Sequence, residues 1–202
     1  ALSYMTPARP SLQRGEYVWH ENETAVFDMV SDADRRIARV AATWRQPRAP
    51  REYMNTVQPA IYERFISELS YVVERRICQD LARRGVPVAD VSCRYRSSAE
   101  GPGDEMFNVS INVADKDVLT AVGALARSCG SIDAQAVTIG EYRVARENYL
   151  MQLSSEAGAS FRSNAEYVDR CVSAFLRNAS LASPKEKLNL HISRCPQFSR
   201  RE

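Results

Sequence analysis

The chain has 202 residues, of which 45% are hydrophobic and 26% charged, enough to bury a core in one largish domain, or one domain plus a tail. Its 24 arginines and three lysines nearly balance 25 acids and are interleaved with them, as in Glu63-Arg64, Glu74-Arg75-Arg76 and Glu141-Tyr142-Arg143, whereas a nucleic-acid binder gathers its positive charge on one face. No apolar run approaches the roughly 20 residues that span a bilayer, and no signal peptide is present, so with Ala1 in first place the chain is expected to be a fragment of a longer or processed product.

In chain order, residues 1–15 carry two prolines and no periodicity, and are expected to be a linker or lead-in. Tyr17-Val18-Trp19 is a short β-like piece, and residues 24–30 (TAVFDMV) alternate and are β-prone. After a turn at Ser31-Asp32-Ala33-Asp34, residues 36–45 alternate again, with Ala38, Val40, Ala42 and Trp44 on one side, which predicts a half-buried strand ended by Pro47 and Pro50. A long helix is expected from about Tyr53 to Arg84. Ile61, Phe65, Leu69, Val73, Ile77 and Leu81 form its apolar stripe, Pro59 separates or kinks its first turn, and Gly85 and Pro87 stop it.

Residues 88–97 form a strand candidate with Val91, Cys93 and Tyr95 on one face. Residues 106–113 are the clearest strand, Phe107, Val109, Ile111 and Val113 alternating with Asn108, Ser110 and Asn112, and the spacing favours a hairpin with a long loop. Asp115 is placed to cap a helix through about Ser128. Three capping boxes then follow: Thr138 with Glu141, Ser163 with Glu166, and Ser183 with Glu186, the last with Pro184 at the first helical position. They predict helices near 139–156, 164–178 and 184–192. The order of elements argues for an α+β fold, a mostly antiparallel sheet backed by helices on one face, in a single domain over 16–193 with a tail at 194–202.

Chemistry-bearing residues are sparse. Of the two histidines, His20 opens His20-Glu21-Asn22-Glu23-Thr24, which lacks the second imidazole that a zinc-binding helix needs at its fifth position. It is expected at the surface, and His191 in a packing or solvent role. The cysteines (Cys78, Cys93, Cys129, Cys171 and Cys195) contain no C-x-x-C pair, and their odd number leaves at least one thiol free; Cys78, Cys129 and Cys171 are expected to pack in the core. No nucleophile elbow, phosphate loop or dinucleotide fingerprint occurs, and no carboxylate spacing singles out an acid–base pair. The arginines of 75–84 are expected on a solvated helix face. The acceptor-like triplets at Asn22, Asn108 and Asn178 are short enough to arise by chance, and Asn108 falls in a strand. The catalytic, cofactor-binding and metal residues of this chain are therefore expected to be none.

Several segments, in order, resemble the second domain of the pitrilysin/insulinase family of zinc peptidases. Residues 37–48 (IARVAATWRQPR) are similar to the family strand that ends in an aromatic residue before a Pro-rich turn. Residues 69–95 resemble its long helix, turn and following strand; 137–153 (VTIGEYRVARENYLMQL) resemble its capped helix; and 163–190 resemble a Tyr-containing helix ending in Phe-Leu before a Pro-capped one. The resemblance covers about residues 15–192. It implies a parent whose catalytic domain carries His-x-x-Glu-His and zinc, with paired domains enclosing a chamber that holds a peptide. This chain lacks that motif, so no catalytic or metal position carries over. What does carry over is the role of a non-catalytic domain that packs against the catalytic domain of the same parent and shapes the chamber for its peptide substrate. A periplasmic location is implied by the resemblance alone. Two alternatives stand beside this reading: an inactive pseudo-peptidase partner or core subunit, and an unrelated α+β binding module.

Overall fold

A computed structural model describes residues 24–30, 32, 34–47, 50–88, 90–97, 104–134, 137–158, 163–177 and 179–194. The expected lead-in at 1–15, the β-like piece at 17–19, His20, Cys195 and the last eight residues lie outside them.

Three strands form one antiparallel sheet in the order β1 (Ile37–Pro47), β3 (Asp104–Ala114), β2 (Asp90–Ser97). Ala38 lies opposite Val113, Val40 opposite Ile111 and Trp44 opposite Phe107 across β1 and β3, while Val91 lies opposite Ile111 and Tyr95 opposite Phe107 across β2 and β3. The alternation read from the sequence thus sends most apolar residues of the three strands to one face, Ile37 and Met106 falling on the other. Against that face lie two helices, α1 (Gln58–Arg83) and α2 (Val118–Ala134). The core between them holds Val73, Ile77 and Leu81 of α1, Val91 of β2, Val109, Ile111 and Val113 of β3, and Ala121 and Ala124 of α2. Three further helices, α3 (Ile139–Gly158), α4 (Asn164–Arg177) and α5 (Pro184–Arg194), complete the α+β fold.

Local chemistry explains most boundaries. At the end of α1, the Gly85 N–H donates to the Ala82 carbonyl at 3.0 Å and the Val86 N–H to the Leu81 carbonyl at 3.1 Å. This is the paired bonding of a Schellman end, and it needs the left-handed φ of 68° that Gly85 adopts. Val86 then turns into the core beside Leu81. The start of α1 lies later than Tyr53: residues 51–53 form a separate 3-10 turn, and Pro59 sits in the first turn of the helix, where its missing N–H costs no hydrogen bond.

Three further expectations are corrected. Residues 24–30 join no strand among the described residues. The apolar stripe of α1 is buried only in its second half, with Ile61 and Phe65 39% and 59% exposed. Residues four apart advance about 400° on a helix of 3.6 residues per turn, so a strict four-residue ridge drifts about 40° per step and winds away from the sheet. Finally, α2 continues through Cys129 and Gly130 to Ala134, past the expected stop at Ser128; a helical glycine costs only about 1 kcal/mol and does not by itself end a helix. Asp115 opens a 3-10 turn before α2, and the residue at the cap of that turn is Ala114.

Candidate interaction surface

The capping boxes fix where α3 and α5 start. The hydroxyls of Thr138 and Ser183 accept from the N–H groups of Glu141 and Glu186 at 3.2 Å, and each glutamate reaches back to the cap N–H, at 2.9 and 2.7 Å. In the third box the Ser163 hydroxyl accepts from the Glu166 N–H at 3.3 Å.

Glu141 has a second task. Its two oxygens accept from Nε and Nη2 of Arg76 at 2.8 and 2.9 Å, tying α3 to α1. The guanidinium, helped by the bonds from Thr138, holds the carboxyl down at about 2. Arg76 is therefore a bridging residue, while Arg75 stacks on Tyr71, Arg84 pairs with Asp80, and the solvated face expected for 75–84 keeps Arg83 and Arg84 exposed. About three turns closer to the start of α1, Arg64 Nε donates to Glu68 at 2.7 Å and its Nη2 to the Tyr142 hydroxyl at 2.9 Å, with both charged side chains 7% exposed. Sequence reasoning missed this pair; the Arg–Glu spacing of four is visible, but its burial depends on α3.

His191 packs as expected. It is fully buried in α5, edge-on to Tyr149 with ring centroids 5.4 Å apart. Burial first, then the nearby charge of Arg64, lowers its pKa and favours the neutral ring. Cys129 and Cys93 pack against the core, whereas Cys78, expected inside, is exposed. Burial pushes the Cys93 thiol up to about 12 and raises that of Cys129, while partial desolvation and the charges of Glu74 and Asp90 raise that of the exposed Cys78, so these three are thiols at neutral pH and weak nucleophiles. Among the described residues no three His, Cys, Asp or Glu side chains gather as a metal-ligand set.

Two surfaces remain. The face of the sheet away from the helices is open and polar: Arg39, Thr43, Arg94, Asn108, Ser110 and Asn112 line a shallow hollow of about 950 Å³, and Asn108 Nδ2 donates to Thr43 at 2.7 Å. The second surface is α4. Ala165, Val168, Cys171, Val172 and Phe175 fall on one arc of this helix and Glu166, Asp169, Arg170 and Ser173 on the other. Arg170 Nη2 donates to the Ala182 carbonyl, while Val168, Val172 and Phe175 are 56%, 50% and 82% exposed. The helix is amphipathic with its apolar face turned outward.

No family model and no curated protein matches this sequence. Solved structures do. The periplasmic protease PqqL from Escherichia coli superposes with a TM-score of 0.63 at 19% identity, over 78% of this chain and 17% of that one. The fold is that of an insulinase-type protease domain. A predicted insulinase family protease from Yersinia pestis gives a TM-score of 0.57 at 12% identity, over 76% of this chain and 32% of that one. The ferredoxin protease FusC, solved with Arabidopsis ferredoxin, gives 0.52 at 10% identity, over 80% and 18%. The chain thus spans between about a sixth and a third of the length of these three proteases. The likeness agrees with the sequence-based resemblance on the fold. No helix among the described residues is long and apolar enough to cross a membrane.

Proposed function

We propose that this chain is a non-catalytic domain of a multi-domain zinc metalloendopeptidase, packing against the catalytic domain of its parent and shaping the chamber that holds a peptide substrate. The observation that carries the reading is α4, an amphipathic helix whose apolar arc faces outward on a fold that matches a fraction of much longer proteases. An apolar face of this kind marks a surface that another body covers. In this reading α4 seats the neighbouring domain. The open sheet face is the chamber wall, its asparagines, serines and threonine offering donors and acceptors to an extended main chain. The zinc and its His-x-x-Glu-His motif belong to the catalytic domain, and the domain described here supplies no ligand. A periplasmic location is proposed with it, supported by the likeness to the periplasmic protease PqqL.

The test is reconstitution. The rest of the parent, produced separately, is expected to capture this chain in a complex that cleaves peptide, and Val172→Asp with Phe175→Asp is expected to weaken capture more than tenfold. Complex formation with a parent that never binds zinc and never cleaves would shift the assignment to an inactive partner subunit. No association at all would contradict the domain reading.

A further inference from the structure

The strand register lays out the open face of the sheet row by row. Arg39, Asn112 and Asp90 share one row across β1, β3 and β2. Ala41, Ser110 and Ser92 share the next, and Thr43, Asn108 and Arg94 the one after. The middle row is made of small residues and leaves space between the longer side chains on either side of it. The aromatic residues Trp44, Phe107 and Tyr95 alternate with these rows and belong to the helix-facing side.

The arginines of this face differ from those of the helices. Arg64, Arg76, Arg84 and Arg127 each pair with a carboxylate of the chain. Arg39 and Arg94 are exposed and pair with none among the described residues. The acids that line the hollow, Asp34 and Asp90, stand at the end of it where β1 and β2 begin. At that end Arg35 is paired with Asp32, and Arg36 adds a further cation. Asp90 lies two strands across from Arg39, about 10 Å away at the usual strand spacing. An anionic ligand is therefore drawn along the diagonal from Arg39 to Arg94 and repelled from the corner that Asp90 occupies.

The diagonal has a length that an extended peptide fits. Two rows along the strands cover about 14 Å and two strands across about 10 Å, so the backbones at Arg39 and Arg94 are roughly 17 Å apart. In an extended peptide every second side chain faces the sheet, and residues four apart are about 14 Å apart. Two long arginine side chains leaning inward close the difference. The side chain between the two acids then meets the small row of Ala41, Ser110 and Ser92. Guanidinium groups bind carboxylates through paired N–H donors, which favours aspartate and glutamate as the ligand's charges. A single-stranded nucleic acid is the poorer fit, because base stacking needs aromatic side chains and those of the strands belong to the other face.

We propose that the open face of the sheet selects extended acidic peptides, with Arg39 and Arg94 holding two carboxylates four residues apart and a small or hydroxyl-bearing residue lying between them over Ser110. The inference rests on the reading of this face as a chamber wall and names the substrate class that the wall favours. Because both arginines are exposed, the preference is modest in size and weakens as salt is added.

NMR titration of the intact 202-residue chain tests it, with short glycine-serine-threonine peptides that carry two glutamates four residues apart, two adjacent glutamates, two lysines or no charge. The spaced glutamates are expected to bind about tenfold tighter than the uncharged peptide, and tighter than the adjacent pair, with amide shifts centred on 39–43, 92–94 and 108–112. Arg39→Gln with Arg94→Gln is expected to remove the preference. Arg83→Gln with Arg143→Gln, which lowers the net charge equally at two exposed positions elsewhere, is expected to keep it. Equal affinity for all four peptides, no binding of any, or an equal loss in both double variants would overturn the proposal. So would shifts centred on another surface, or a single-stranded oligonucleotide that binds as tightly as the spaced glutamates. The Arg39 and Arg94 changes are expected to leave capture by the rest of the parent intact, so a failure of capture by the unmodified chain tells against the domain reading, and a failure of peptide preference tells against this inference alone.

Discussion

Arg76 and Glu141 are joined by two parallel hydrogen bonds of 2.8 and 2.9 Å, and the same Glu141 carboxylate closes the cap of α3 by accepting from the Thr138 N–H at 2.9 Å. One carboxylate therefore both starts a helix and fastens it to α1. Replacing Arg76 by Ala is expected to cost about 1.5–3 kcal/mol, the range for hydrogen bonds to charged groups. Replacing Glu141 by Ala removes the cap as well and is expected to cost about 1 kcal/mol more. Urea denaturation of the two variants checks the order.

The Arg64–Glu68 pair is the more exposed to damage by half-removal. Both side chains are 7% exposed, so Arg64→Ala leaves a buried carboxylate without its cation and is expected to cost about 3–5 kcal/mol. The double change Arg64→Met and Glu68→Leu is expected to cost less than the single one, because it removes both charges. Thermal melting of the three proteins decides this.

Stability is expected to fall with acid in two stages. His191 has its pKa lowered by burial, so the folded state resists protonation; its contribution is complete above the usual value of 6.5 and is lost as pH drops below it. Glu141 is held at about 2, below its usual 4.5, so its contribution is complete above about pH 4.5 and is lost as pH falls toward 2. Urea midpoints between pH 8 and pH 2 are expected to show both stages, with Glu141→Gln shrinking the lower, which Asp80 and Glu186 share, and His191→Gln shrinking the upper.

The outward face of α4 is expected to be neutral for this chain's own stability. Val172→Asp and Phe175→Asp alter residues 50% and 82% exposed and are expected to change unfolding free energy by no more than about 0.5 kcal/mol each. They are expected to lower binding of a hydrophobic dye and self-association at high concentration, both read directly by fluorescence and light scattering.

How much was legible follows from how local each signal is. The boxes at Thr138, Ser163 and Ser183 placed three helix starts, because a cap is made within four residues. Gly85 placed the end of α1 for the same reason. The alternation in β2 and β3 placed both strands and their inner faces. Ile61 and Phe65 misled because a period of four only approximates a helical face. The alternation of residues 24–30 produced no strand in the structure, since a strand needs a partner as well as a pattern. The apolar arc of α4 could be read from the sequence, but its outward direction could not, because that rests on Arg170 reaching Ala182 across a chain reversal. The exposed position of Cys78 and the burial of Arg64 and Glu68 were hidden likewise, each depending on which helix lies opposite.

On the proposed reading, this domain serves a zinc peptidase without supplying its chemistry. Metal content by mass spectrometry, with peptide cleavage measured on the same samples, tests it most directly when run on the complete parent and on this chain alone. Stoichiometric zinc and chelator-sensitive cleavage are expected for the parent, and neither for the chain. Zinc and cleavage by the chain alone, or a parent that binds no zinc and cuts no peptide, would contradict it.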